Sequence, residues 1–483
     1  MSNHRFALSA LALFTGCHDM GMSSGEFGAT QGGVQDMGLA REMIADGFVP
    51  PPEAFVVEGM FSEHDLGLEG DACSTLLCLR AAAGAAHDGD DLPAGFVQVG
   101  MSSNIDLDTY TRPSVTLVAV VDVSGSMGWD YSEYSDDYTT PGEISRHLLQ
   151  AIVDELGNGD RIAIVTYGSR IRTPLDFTKP TDDDVDDAIA DLDEGGSTNM
   201  EGGMERAYEL ARDADFGTDE VRLALFTDVQ PNVGMTGASE FEQMAEDGAE
   251  DGIGLTVFAM GVGMGQEVML GMSHLRGGNA FSLFDTEDAD DLMADSWPWM
   301  FAPIAYDLVV SIEPPAGFTL ERAYGFPVAT SGALTPELDV ATVFLSRRKG
   351  AMLLQLTPDD GEATAFDVAG TIAYTNPNGT PKTAEVQASF DGTLDERGQG
   401  WEQHSVGRTA ALALLVDGMK GAVSVYQNDQ VAAVTTMTAV HDRFAADALV
   451  LDDKDLPVEV QLAAELLELM EAGAPQEQDL YGY

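Results

Sequence analysis

The sequence predicts an α/β fold in which a doubly wound, mainly parallel sheet is followed by a β-sandwich-like module and a helical C-terminal region. Three observations carry this. From Val115 onward short apolar runs alternate with segments whose apolar residues fall at helical spacing. Beyond Met300 that alternation gives way to β-rich segments with turn signals, and from Glu402 onward Ala and Leu dominate.

Val115 to Val123 is a nearly unbroken apolar run, as expected of a strand buried on both faces of a parallel sheet. Gly142 to Leu156 follows as a helix, with Ile144, Leu148, Leu149, Ile152, Val153 and Leu156 on one face. The series continues through strand Arg161 to Tyr167, helices Thr181 to Leu192 and Met200 to Arg212, and strand Val221 to Thr227. Helix Ser239 to Glu250, strand Leu255 to Gly261, helix Glu267 to Leu275, strand Ala280 to Leu283 and helix Thr286 to Met300 complete it. In such a sheet a ligand binds beyond the C-terminal strand ends.

After this come β segments at Tyr306 to Ile312, Thr319 to Ala323, Ala341 to Phe344, Met352 to Leu356 and Phe366 to Tyr374, then an Asn378-Gly379 turn before Thr383 to Phe390. Arg408 to Val416, Asp429 to Ala445 and Val458 to Met470 read as helices. Upstream, residues 18–52 are rich in Gly, Met and Ser and read as a flexible tether with one weak helical stretch, Val34 to Ala45. Ala54 to Val57 and Phe96 to Val99 read as strands of a small module. The expected division is a signal over 1–17, a tether over 18–52, a small β-containing module over 53–114, the α/β domain over 115–300, the β-sandwich-like module over 301–395 and the helical region over 396–483.

Charge excludes whole classes of partner. Against 82 Asp and Glu the chain has 23 Lys and Arg, a formal net charge of −59 over 483 residues. So few cations cannot neutralise a phosphate backbone or an anionic bilayer over a large area, which argues against nucleic acid and lipid headgroups. Divalent cations and basic groups remain. Self-repulsion at this charge also points to a salty environment, where the Debye length falls to about 3 Å at 1 M.

Arg5, the short apolar run Phe6 to Phe14, and Thr15 and Gly16 before Cys17 resemble a bacterial lipoprotein signal with its lipobox, Phe14 standing where the box usually has Leu. The resemblance implies an exported, envelope-anchored protein lipidated at Cys17, and His18 rather than Asp after that cysteine implies the outer membrane. An ordinary secretory signal cleaved nearby, or an unprocessed apolar N-terminus, is the alternative. The run is too short to span a bilayer, and no other segment has 18 consecutive apolar residues. Membrane contact is therefore expected only through the N-terminal lipid. Export fits a small disulfide between Cys73 and Cys78, the other reading being two free buried thiols.

The expected strand ends hold the chemistry. The first strand finishes in Asp122-Val123-Ser124-Gly125-Ser126, a later loop carries Gly195-Gly196-Ser197-Thr198-Asn199, and the strand from Val221 ends in Phe226-Thr227-Asp228. These loops offer the hydroxyls of Ser124, Ser126 and Thr198 and the carboxylates of Asp122 and Asp228, hard oxygen donors without His or Cys. Such a set suits Mg²⁺, Mn²⁺ or Ca²⁺ rather than zinc or copper.

With those five residues in order, the segment from Val115 to Met300 resembles a von Willebrand factor type A domain, a Rossmann-like fold, and its metal-ion-dependent adhesion site. The resemblance implies that Ser124 and Ser126 bind the metal directly, Thr198 directly or through water, and Asp122 and Asp228 mainly through water and hydrogen bonds. A cation so held keeps much of its charge and can accept a carboxylate from a protein partner, which is binding rather than catalysis. The order of metal-site domain, β-module and helical tail is similar to secreted bacterial relatives of the calcium-activated chloride channel regulators. The expected function is an envelope-anchored adhesion protein and not an enzyme. A metal-stabilised scaffold or accessory subunit of an envelope complex is the alternative.

Other features point elsewhere only weakly. Gly261-Val262-Gly263-Met264-Gly265 lacks the final Gly of a dinucleotide fingerprint, because Gln266 stands there. The eight histidines include no His-Glu-x-x-His, and His274 reads as a packed or solvated residue. The acidic, Tyr-rich stretch Trp129 to Tyr138 reads as a solvated loop or as a rim of the metal site.

Overall fold

The computed structural model describes residues 27–106, 109–129, 139–228, 237–261, 266–297, 299–326 and 337–476. The signal with Cys17, the acidic stretch 130–138 and the glycine-rich 262–265 lie outside these residues.

Seven strands form the α/β sheet, in the order Gly33–Val34, Gly278–Leu283, Ile253–Met260, Glu220–Thr227, Val115–Asp122, Arg161–Tyr167 and Arg172–Thr178. Neighbours are parallel throughout except the last pair, which is antiparallel. The central strand shows why its sequence is apolar without alternation. Leu117, Ala119 and Val121 face a core shared with Ile144, Leu148 and Ile152 of helix Pro141–Glu155. Val118 and Val120 face the opposite core, with Met200, Met204 and Tyr208 of helix Met200–Asp213. Helix Pro141–Glu155 starts where it does because Thr140 and Glu143 form a reciprocal cap: Glu143 N donates to Thr140 Oγ1 at 3.2 Å and Thr140 N to Glu143 Oε2 at 3.0 Å, with Pro141 as the first helical residue. Strand Arg172–Thr178 was not foreseen, since only Leu175 in it is buried and it carries no apolar run.

The second sheet has ten strands and is antiparallel. Strands Cys78–His87, Pro93–Ser103, Ala351–Pro358 and Phe318–Tyr324 run side by side, as do Glu337–Ser346, Pro303–Ile312, Phe366–Thr375 and Pro381–Phe390. Strand Phe27–Gln31 pairs with both Pro93–Ser103 and Glu337–Ser346 and so joins the two sets. Val97, Val99, Leu354 and Leu356 of one set meet Val310, Ile312, Ile372 and Val386 of the other in a single core, so the sheet folds over on itself as a sandwich.

This corrects the expected division in two places. The described part of the expected tether, 27–52, is woven into the fold: it supplies a strand to each sheet and helix Gly38–Ala45, with Leu39, Ala40, Met43 and Ile44 buried. Its glycines serve close approach rather than flexibility, for a Cβ on Gly28 would lie 1.9 Å from Arg348 O. The expected module 53–114 is not separate either, because strands Cys78–His87 and Pro93–Ser103 belong to the sandwich. Ala54 to Val57, expected as a strand, is instead a 3₁₀ turn, Pro52–Ala54, leading to helix Val57–Glu63. Strand Cys78–His87 escaped notice because its Ala- and Gly-rich sequence has little β propensity; at Gly84 a Cβ would come within 2.3 Å of the Trp401 ring. Cys78, the first residue of this strand, is joined to Cys73 in a disulfide.

Helices His404–Tyr426, Gln430–Leu451 and Leu456–Ala472 follow the sandwich. The first is long and apolar enough to cross a membrane, but 61% of its apolar stretch is buried, with Val406, Ala410 and Leu412 sharing a core with Phe96 and Leu353 of the sandwich.

Candidate metal centre

Asp122 closes the central strand in register with Tyr167 on one side, while Val121 pairs with Phe226 on the other. Thr227 and Asp228 therefore emerge at the same edge as Asp122. Asp122, Ser124, Thr198 and Asp228 are each no more than 1% exposed, and Ser126 is half-buried. Burial of so many short polar side chains at a loop edge is itself informative, because buried polar groups need partners.

Hydrogen bonds fix the three loops to one another. Asp122 folds back on its own loop, Oδ1 accepting from Ser124 N at 2.8 Å, while Oδ2 accepts from Thr227 Oγ1 at 3.2 Å. The Ser124 and Ser126 hydroxyls are 3.1 Å apart. Gly195 N donates to Val123 O at 2.8 Å and Gly125 N to Gly196 O at 3.1 Å, bringing the Thr198 loop against the Ser124 loop. Gly196 has φ +96°, and a Cβ there would lie 2.1 Å from Ser169 Oγ, so this corner of the site requires glycine. Directly after Thr198, Asn199 caps helix Met200–Asp213 by accepting from Gly202 N at 3.1 Å. All five residues expected from the sequence thus lie on loops gathered at one edge.

Burial, and then the neighbouring Asp228 carboxylate, push the Asp122 carboxyl up to about 7, against the opposing pull of its hydrogen bonds with Ser124. Two carboxyls held close in a dry site repel when both are ionised. A divalent cation would relieve that repulsion, and the surrounding donors are all oxygens, so the residues present fit such an ion. Among the described residues no group of three or more His, Cys, Asp or Glu side chains is placed to hold a metal, which leaves a set of this mixed kind dependent on its hydroxyls.

Two neighbours of the site were missed from the sequence. Thr227 is fully buried and bonded to Asp122. Tyr167 is also fully buried, and burial together with the charges of Asp122 and Asp228 holds its phenol well above the usual range. Its hydroxyl lies near Thr227 and Asp122 but meets hydrogen-bonding geometry with neither. Tyr167 ends the expected strand Arg161 to Tyr167, but an aromatic in an apolar run reads as core. At the rim, Arg146 pairs with Glu194 and donates to Leu192 O at 3.1 Å. Trp129, the last described residue before the acidic stretch, is 56% exposed. His274 is half-buried and paired with Glu58 at 2.9 Å, away from the site.

Residues 117–230 match the von Willebrand factor type A domain. The chain is 32% identical over 295 residues to the uncharacterized protein YfbK of Escherichia coli (strain K12), a match covering 59% of this chain and 49% of that protein, so the chain spans about half the length of its curated relative. Among solved structures it resembles a von Willebrand factor type A protein from Catenulispora acidiphila, with 12% identity, a TM-score of 0.48 and coverage of 85% of this chain and 99% of that one. It also resembles the ArnB paralog VWA2 from Sulfolobus acidocaldarius, with 13% identity, a TM-score of 0.45 and coverage of 83% and 98%. The segment that carries Asp122, Ser124, Ser126, Thr198 and Asp228 is thus a von Willebrand factor type A domain, a type that commonly mediates protein–protein interaction.

Proposed function

We propose that this protein is an envelope-anchored binding protein that recognises a protein partner through a divalent cation, Mg²⁺ or else Mn²⁺ or Ca²⁺, held by Asp122, Ser124, Ser126, Thr198 and Asp228. The observation that carries the reading is the buried Asp122 and Asp228 pair at one sheet edge with three hydroxyl-bearing side chains on the adjoining loops. A cation bound there supplies a coordination position for a carboxylate of the partner. Ser124, Ser126 and Thr198 offer neutral oxygens that leave the ion's charge largely undiminished. Asp122 is committed to Ser124 N and Thr227 Oγ1, which fixes the orientation of its carboxylate. No catalytic residue is assigned.

Anchoring rests on the N-terminal sequence: Cys17 would carry the lipid, in the outer membrane, and that lipid would be the sole membrane contact. The charge of −59 argues against nucleic acid as a partner. One observation favours a second reading, a metal-stabilised scaffold or accessory subunit of an envelope complex. The bonds Gly195 N to Val123 O and Gly125 N to Gly196 O already tie the site loops together, and a cation among them would act as a further staple.

The test is affinity capture from envelope extracts with Mg²⁺ or with EDTA, at low and high salt, comparing wild type with Asp122→Ala. Metal-dependent recognition predicts a partner retained with Mg²⁺ at both salt levels and lost with EDTA or the variant. Salt weakens the long-range repulsion from the acidic body more than it weakens a short contact at the metal. A partner retained in EDTA and released by salt alone would point to a polyanionic binding surface instead.

A further inference from the structure

We infer that Tyr167 is a positioning residue of this metal centre, its buried phenol directed at the Asp122 carboxylate to orient it for the cation. The inference rests on the metal reading above. Buried tyrosine hydroxyls ordinarily find a hydrogen-bond partner, and a structure that leaves one without a partner does so at a cost in free energy. Tyr167 is fully buried and its hydroxyl has no such partner, although Asp122 stands in register with it on the neighbouring parallel strand and is bonded there to Thr227.

The residue is also held in place from two sides. Its backbone oxygen accepts from Val123 N at 2.8 Å, locking the end of its strand to the loop that begins the metal motif. Its ring lies against Gly203, where a Cβ would come within 2.6 Å of it, so the helix that follows Thr198 presses the ring into its pocket. The hydroxyl cannot swing to solvent without disturbing that contact.

The remaining surroundings of the ring are apolar, with Val165, Met200, Met204 and Ala207 in the same core. Phenylalanine would satisfy every packing contact, and the hydroxyl is all that distinguishes tyrosine here. Its nearest use is on the carboxylate: Asp122 already accepts from Ser124 N and Thr227 Oγ1, and a phenol O–H is the third donor within reach. As an ionised carboxylate, the form that holds a cation, Asp122 is the stronger acceptor. Once Asp122 is ionised beside a cation, Tyr167 would complete a cradle of backbone amide, threonine and phenol that fixes how this carboxylate faces the loops of Ser124 and Asp228.

The experiment compares the full mature chain with its Tyr167→Phe variant by two measurements: Mn²⁺ affinity by titration calorimetry and thermal melting in EDTA. The expected result is an Mn²⁺ affinity weaker by roughly 10- to 100-fold, as is typical when a residue orienting a metal ligand is lost. Melting in EDTA should be unchanged or raised, because the variant removes a buried hydroxyl without a partner. Equal affinity in the two proteins, with the wild type binding, overturns this inference alone. So does a melting temperature in EDTA that falls, which would make the hydroxyl a structural element. If the wild type does not bind Mn²⁺ at all, the metal reading fails and this inference with it.

Discussion

His64 and Glu459, 395 residues apart in sequence, share a hydrogen bond of 3.2 Å in the interior, with side chains 4% and 3% exposed. Arg41 completes the cluster, its Nη2 lying 2.9 and 3.0 Å from the two oxygens of Glu459 and 2.5 Å from Glu63 Oε2. The N-terminal helices are thereby clasped to the last helix. Burial by itself would raise the Glu459 carboxyl, yet His64 and Arg41 hold it below its usual range.

Glu459→Ala is therefore expected to cost about 1–3 kcal/mol in chemical denaturation, because the buried His64 ring would lose its hydrogen-bond partner and Arg41 would keep Glu63 alone. Since the folded-state pKa of Glu459 is depressed, its contribution is present above the ordinary carboxylate range and is lost as the pH falls through the folded value. Limited proteolysis should find the 27–68 segment opened first in the variant. A variant as stable and as resistant as wild type would show that the clasp contributes nothing.

Glu42 gives the opposite sign. Burial, then the nearby Asp46, Asp288 and Asp285, push its carboxyl up to about 7. A raised acid favours the folded state only while protonated, so that contribution is fully present below about pH 4.5 and lost as the pH rises through about 7. Glu42→Gln should match wild type in melting temperature at pH 4 and exceed it at pH 8, the gap narrowing in 1 M salt. A gap equal at both pH values would refute this account.

Specific metal binding should raise the stability of the folded chain by about 2.7 kcal/mol at a hundredfold excess of Mg²⁺ over its Kd. Asp122→Ala and Ser124→Ala should abolish that gain while leaving the diffuse effect of salt on a body of charge −59. The measurement is thermal melting with Mg²⁺ at fixed ionic strength, and equal gains in all three proteins would deny the site.

Gly203→Val should destabilise by about 1–3 kcal/mol through overpacking, since the Tyr167 ring stands where the new side chain must go. Melting of the metal-free protein measures this directly. No loss would mean that the helix and ring separate more easily than their packing implies.

Cys17→Ser should release the protein from membranes or leave its signal unprocessed, read by fractionation and by the mass of the mature N-terminus. A mature N-terminus elsewhere, without lipid, would remove the anchor from the proposed function.

How far the sequence could be read depended on how local the signal was. Asp122, Ser124 and Ser126 sit within one five-residue motif, and Thr198 and Asp228 each follow a recognisable element, so the gathering of these five residues at one sheet edge was legible. Tyr167 and Thr227 were not, because their role arises from register between strands that only the sheet brings together. The same holds for the misread stretch before Val115. Residues 27–52 look like a linker by composition, and their use as strands depends on partners at 278–283 and 337–346, far along the chain. Gly28 illustrates the point: nothing nearby in sequence reveals that Arg348 O will occupy the space its side chain would fill.

Phe27–Gln31 and Gly33–Val34 place consecutive stretches of chain in the two different sheets, with one residue between them. Mechanical tension applied upstream of Phe27 is therefore borne first by the antiparallel rungs of Phe27 and Gly28 with Ser103 and Ser102 and by those from Gly28 with Ser346 to Gln31 with Val343, and only then by the parallel rungs at Gly33 and Val34. The sandwich stands between the pulling point and the sheet that carries the candidate metal site as a force buffer. Phe27 is ten residues on from Cys17, a length that reaches at most about 35 Å when fully extended. An anchor at Cys17 would thus act on a short leash, with drag on a captured partner transmitted into strand hydrogen bonds rather than absorbed by slack chain.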